Sequence, residues 1–373
     1  MKKLLFLSVP LMLIGTIAFT NKGIDAKHAD SNTEKLTLRE DIREPNRIAR
    51  EPVSMDIITM NGNGTESNPY IITTASQFAQ MRYDLNAYYK LGNDINFNNS
   101  VIDPIPGTFQ GQLYGNGKTL SKFKISKTFE ITTSSKNLGL FETIGNYGDV
   151  WNLTIKDSLV EAKQKGSNNT LVYGGLICGM NYGTIEAITI YRSKVNIENK
   201  FALAGGISGY SNGKIITCTL HGCKTFGCDV VGGITGSADN NSETTCCILY
   251  EHRGNWFWEV TESQVKLIVK DVNNSFCAGG IAGYCFGSAV IDNCHVKDTK
   301  FIVSGTLNRS PMMGYIAGHM NRGTIIYTPN FFTGNSKTNI NNSYRTYYFA
   351  NFNGHVGKSE NNPNVVENSY TFE

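Results

Sequence analysis

Apolar residues recur along the chain in one spaced triplet: Val150, Leu153, Ile155; Ile185, Ile188, Ile190; Ile215, Cys218, Leu220; and, with one residue inserted, Val290 or Ile291, Cys294, Val296. The last two members of each triplet stand two apart, the spacing of one face of a strand. Each set follows a turn of the NYG type and predicts a short strand with one apolar side. Such a strand cannot bury that side alone, so the copies must stack as a β-solenoid with ladders of like residues inside.

The glycines mark the same period. GGLICGMNYGTIEAITI starts at Gly174, GGISGYSNGKIITCTL at Gly205, GGITGSADN at Gly232, GGIAGYCFGSAVIDNCHV at Gly279 and GYIAGHMNRGTII at Gly314, with a looser copy from Gly139. Glycine pairs suit close backbone approach or positive φ at corners, and asparagine tolerates the left-handed conformation. Helical readings fail because β-branched residues and glycine dominate every copy. The fourth copy reads as losing its strand after Gly236. Upstream, Thr74 and Gln77 have capping-box spacing, and Phe78, Met81 and Leu85 fall at helical intervals, predicting one short amphipathic helix that caps the first rung. Residues 88–125 read as short strands broken by Gly and Asn turns.

Before this region, Lys2 and Lys3 precede an apolar run from Leu4 to Phe19, shorter than the roughly 20 residues of a membrane span. This predicts a signal peptide over 1–18, with cleavage as late as 26, then a charged spacer over 27–53 and a β-helix domain over 54–373. No membrane span is expected after cleavage. The net charge is +3, from 34 Lys and Arg against 31 Asp and Glu. That balance supplies no phosphate-neutralising stripe, so nucleic acid is excluded as a partner. The C-terminal NNPNVVENSYTFE carries no sorting signal of the LPxTG kind.

Three blocks, GNGTESNPYIITTASQFAQM at Gly62, YYKLGNDINF at Tyr88 and PIPGTFQGQLYGNGKTL at Pro104, together with the GGI-x-G copies, resemble bacterial GLUG-repeat proteins. The resemblance covers about residues 57–330, with the repeats over about 139–330. It implies a right-handed parallel β-helix and a secreted or cell-surface protein, as in adhesin-like proteins and the non-catalytic region of some immunoglobulin A peptidases. This chain departs from the latter in having no HExxH, so the resemblance carries no zinc peptidase site.

Nine cysteines in an exported chain raise the question of disulfides. Cys218 and Cys294 replace Ile188 and Leu153 in the inward ladder, and Cys277 aligns with Val172, Leu203 and Val230, so these three read as buried thiols. Cys223 and Cys228 enclose KTFG and form the local disulfide candidate. Cys218, His221, Cys223 and Cys228 lie close together but lack a zinc-site spacing, so no metal and no cofactor is expected. The acidic residues of the array stand singly, and no catalytic residues are assigned.

One interval is enlarged. Between Gly232 and Gly279 lies CCILYEHRGNWFWEVTESQ, where Trp256 and Trp258 would share a strand face beside Arg253 and Glu259. Solenoids place binding on such excursions. These four residues are the candidate ligand site, for a host or bacterial surface glycan or protein. The competing reading packs the two tryptophans against the solenoid flank. A polysaccharide lyase or glycoside hydrolase, and a structural envelope protein, are the alternative functions.

Overall fold

The computed structural model describes residues 59–366, apart from 130–133, 166–169, 251, 254–259, 262, 270–276, 297–298, 306–311, 315, 327–337, 342–355 and 361–363. The described residues form a parallel β-helix. One turn of the coil shows the plan: Cys178–Asn181, a tight turn, Thr184–Tyr191, a corner at Arg192, Lys194–Glu198, a second turn, and Phe201–Gly205. Each run pairs in parallel with its counterparts in neighbouring turns, giving sheets of twenty-one, seven and six strands.

The register builds the predicted interior. Val150 pairs with Ile185 and Ile185 with Ile215, while Leu153 pairs with Ile188 and Ile155 with Ile190, all fully buried or nearly so. A period-two strand pattern in one turn lands on the same pattern in the next, so aliphatic contacts run along the axis. In the fifth copy Ile291, not Val290, joins the ladder, opposite Thr244. The fourth copy does not lose its strand. Glu243–Thr245 and Ile248–Tyr250 continue it, with Thr244, Cys247 and Leu249 standing where Ile215, Cys218 and Leu220 stand one turn earlier. Five positions separate Ala238 from Glu243 against three from Ser211 to Lys214, so the longer turn displaced the pattern.

Ala278 rather than Cys277 continues the ladder through Ala204 and Val231. Cys277 pairs with Val230 and thence with Leu203 and Tyr173, one position away from Val172. It is buried nonetheless.

The helix spans Ala75–Ala79 and tightens into a 3-10 turn, Gln80–Tyr83. Thr74 Oγ1 accepts the Gln77 N–H at 3.2 Å, as the capping spacing predicts. The reciprocal bond shifts by one residue, because Gln77 Oε1 accepts from Thr73, at 2.8 Å from its N–H and 2.9 Å from its hydroxyl. The helix follows the strand Tyr70–Ile72, which pairs in parallel with Tyr88–Leu91 and bridges Asn61 through Ile71, and it buries Phe78 and Met81. Phe78 meets Phe97 edge-on, with ring centroids 5.9 Å apart, and the aromatic cluster continues to Phe123, Phe141 and Phe109. Among the described residues no helix is long and apolar enough to cross a membrane.

The glycine pairs are there for space, not for positive φ. The left-handed corners fall instead on two stacked columns that follow the in-register pairs: Asn152, Ala187, Thr217, Cys246 and Asn293, and Lys122, Asp157, Arg192 and Gly222. Thr217 is the β-branched member, at φ 54°. A side chain branched at Cβ crowds its own carbonyl there, which costs about 1–2 kcal/mol. Thr217→Asn, matching Asn152 and Asn293 in the same column, is expected to stabilise the fold by about 1 kcal/mol in urea unfolding. An unchanged or lower midpoint at constant m would show that the corner is not strained.

Candidate functional site

The enlarged interval is a clean insertion at one corner. His221 pairs with Tyr250, and Lys224 pairs with Gln264. Gly222 alone therefore separates His221 from Cys223, whereas residues 251–262 separate Tyr250 from Ser263. Both ends of the insertion are pinned to the coil. Ser263 Oγ accepts the Cys223 N–H at 3.2 Å and donates to the Tyr250 carbonyl. Ser158 and Ser193 make the same two bonds in earlier turns, so the ladder resumes without a shift.

Between those pins two short strands pair with each other and not with the coil. His252–Arg253 pairs antiparallel with Val260–Thr261, in a two-stranded sheet separate from the three sheets of the coil. Arg253 lies in its first strand. Trp256, Trp258 and Glu259, predicted with it as the ligand site, lie outside the described residues.

At the root of the insertion the outer face carries an aromatic row that the triplets do not reveal. Tyr191, His221 and Tyr250 occupy one register position in three successive turns. The Tyr191 and His221 rings stack at 4.5 Å and 20°. Tyr250 is turned 63° from the imidazole, 4.1 Å away, with its hydroxyl 3.0 Å from His221 Nε2. Thr189 and Thr219 stand in register two residues earlier on the same strand faces. Beside Tyr191, Arg192 grips Asp157 through two bonds, Nε to Oδ1 at 2.8 Å and a terminal nitrogen to Oδ2 at 3.1 Å. This root offers hydroxyls, an imidazole and a guanidinium beside ring surface, the mixture that orients a hydroxyl-rich ligand. Aligning the copies one residue past each triplet would have exposed it. The third tryptophan, Trp151, stacks on Tyr114 at 5.3 Å and 22° in another stripe of the outer face, with Lys90 5.5 Å from the Tyr114 ring centroid.

Cys223 and Cys228 are unbridged thiols at opposite ends of the strand Lys224–Gly227. Five extended residues hold their Cα atoms about 16 Å apart, whereas a disulfide needs less than about 7 Å, so the local bridge is not formed. Cys223 instead donates to the His221 and Ile190 carbonyls, and burial pushes its thiol up to about 12. Cys218 and Cys223 are buried in the interior, while His221 sits on the outer face. Among the described residues no group of three or more His, Cys, Asp or Glu side chains is placed to hold a metal.

A cleft of about 390 Å³ lies at the N-terminal end, lined by Arg82, Asp103, Lys127, Lys136 and Glu142 among others. Both carboxylates are engaged. Lys127 pairs with Asp103 and its hydrogen bond holds that carboxyl below the usual range, while Glu142 Oε2 accepts the Gly107 N–H at 2.9 Å. A general acid needs the opposite shift for Asp103.

No family model matches the chain, so membership of the GLUG-repeat family is not shown. Over 209 residues the chain is 26% identical to halomucin of Haloquadratum walsbyi, a match that covers 52% of this chain and 2% of halomucin. Over 141 residues it is 30% identical to a "putative Gly-rich membrane protein" of Evansella cellulosilytica, covering 35% of this chain and 15% of that protein. The chain thus spans a small fraction of the length of both curated relatives. Among solved structures it is similar to a "putative immunoglobulin A1 protease" from Bacteroides ovatus, with a TM-score of 0.51 and 17% identity over 82% of this chain and 86% of that one. At that identity the likeness is one of fold, and the parallel β-helix is what it shares.

Proposed function

We propose that this chain is an exported, surface-associated binding protein, and that the insertion 251–262 with the aromatic row at its root is where it takes a glycan or protein ligand of a host or bacterial surface. The observation that carries this reading is the insertion itself. A coil that turns this corner on one residue in the preceding turns takes twelve here, and both ends return to register. Extra chain that contributes nothing to the ladders is kept for what it presents outward. The tryptophan pair and Arg253 belong to the residue types that dominate binding energy at recognition surfaces. Export is supported by the basic and apolar start of the sequence, and a surface setting by the names of the two relatives.

The test is a glycan-array and host-protein screen on the full chain, beside a reducing-sugar assay. Trp256→Ala and Trp258→Ala are each expected to weaken the selected ligand at least tenfold, about 1.4 kcal/mol, with the unfolding midpoint unchanged. Unchanged affinity with a lowered midpoint would mean that the tryptophans pack on the coil. Turnover on any glycan would replace binding with catalysis.

A further inference from the structure

The inward position just after the first left-handed corner is filled in successive turns by Leu153, Ile188, Cys218, Cys247 and Cys294, as the flanking registers require. Three cysteines are therefore stacked one above another inside the coil. They share one orientation. Cys218 Sγ donates to the Ile216 carbonyl at 3.3 Å and reaches the Ile185 carbonyl of the preceding turn at 3.8 Å. Cys247 repeats this with Thr245 at 3.4 Å and Ile215 at 3.5 Å, and Cys294 with Asp292 and Thr244, both at 3.3 Å. The Cys247 N–H also donates to Cys294 Sγ at 3.4 Å.

Paired residues in adjacent strands lie about 4.8 Å apart, inside the roughly 4.4–6.8 Å window of Cα separations that disulfides occupy. Residues two turns apart lie at about 9.6 Å, outside it. We propose that Cys247 is a disulfide-forming residue, bridged to one of its two stacked neighbours, Cys218 below or Cys294 above. A direct Cys218 to Cys294 bond is excluded by the same spacing. Cys178, Cys223, Cys246, Cys277 and Cys285 face no cysteine in either adjoining turn. Their partners are Phe141 and Ser208, Ser193 and Ser263, Thr217 and Asn293, Val230 and Met312, and Ala238 and Met320.

Burial dictates when the bond forms. All three side chains are closed off from solvent in the finished coil, so the oxidant must act before the turns around Cys247 have closed. The oxidant is a disulfide carrier, small-molecule or protein. The Cys247 thiolate attacks one of its sulfurs and expels the other as a thiolate. The neighbouring cysteine, giving up its proton, then attacks Cys247 sulfur, forming the bridge and releasing the second carrier thiol. Two electrons and two protons pass to the carrier for each bond made.

The experiment maps the thiols of the full chain after reductive unfolding and refolding in a glutathione redox buffer, or after recovery from an oxidising compartment if refolding fails. An alkylating agent is added in denaturant. The expected result is an intact mass lower by about 2 Da before alkylation and a linked peptide joining Cys247 to Cys218 or Cys294. Cys247→Ser should leave both neighbours fully alkylated. A chain folded under reducing conditions and then given the same buffer should keep all three as thiols, because the coil shields them. Complete alkylation of Cys247 in the oxidised chain, or a Cys218 to Cys294 bridge in Cys247→Ser, would overturn the proposal.

Discussion

Gly183→Ala is expected to destabilise the fold by about 3–5 kcal/mol, at the upper end of what a single methyl group does in a packed interior. A Cβ at this position would lie 2.0 Å from the Gly148 carbonyl oxygen and 2.4 Å from that of Gly145, both backbone atoms. The obstruction is also a working acceptor, because the Gly148 oxygen takes the Thr184 N–H at 3.0 Å. Relief therefore means parting two turns of the coil and losing ladder bonds with them. The column repeats: Gly213 would strike the Gly183 oxygen at 2.2 Å, and Gly148 the Phe109 oxygen at 2.3 Å. Gly117 is the control. It has φ 67°, but a methyl added there would meet nothing within 4 Å, so Gly117→Ala should cost only about 1 kcal/mol of left-handed strain. Urea unfolding of the pair checks this, and equal losses would mean that the turns are not in tight backbone contact.

That column also shows how far the sequence could be read. The NYG turns announced themselves because the glycine is needed in every turn of ordinary length, and the triplets after them because an inward aliphatic is needed in the same register. Where the turn lengthens, Ser242 takes the glycine's place and Thr244 the aliphatic's. Both carry hydroxyls that make no hydrogen bond here. The strand persists through its neighbours' ladders, not through its own composition, and a single turn read alone hides it. The same logic governs the cysteines. Cys247 looked like half of a vicinal pair in the sequence, but the corner sends Cys246 into the left-handed column and Cys247 into the core. Two adjacent letters belong to two different columns. The left-handed corners were least legible, since Ala187, Thr217 and Arg192 adopt them with no local preference to do so. At the site, the length of the excursion was visible, and the Tyr191, His221 and Tyr250 row was not. That row is defined by which residues meet across turns, so it emerges only when the copies are aligned one residue past the triplets, and a single copy read alone hides it.

Raising the pH from about 4 to about 7 should weaken the fold through one carboxyl, Asp229, by up to about 4 kcal/mol. Asp229 lies between the strands Lys224–Gly227 and Val230–Gly232, is 8% exposed, and has its carbonyl occupied by the Cys277 N–H at 3.1 Å. Burial alone pushes its carboxyl from 3.8 up to about 7. The folded state therefore holds a proton that the unfolded chain has released, over the whole window between those values. Stability contributed by this group is complete below about pH 4, declines through the window, and levels off above about pH 7. Asp103, held low by its bond from Lys127, acts with the opposite sign in acid, so the quantity to compare is the difference between two chains. Asp229→Asn keeps the size and removes the titration. It should match the parent near pH 4 and exceed it by about 2–4 kcal/mol at pH 8, less whatever water relaxes around the parent carboxylate. Urea midpoints measured across pH 4 to 8 for both proteins decide the matter. Parallel profiles would mean that the carboxyl is solvated in the folded coil and that the corner between the second and third sheets is open to water.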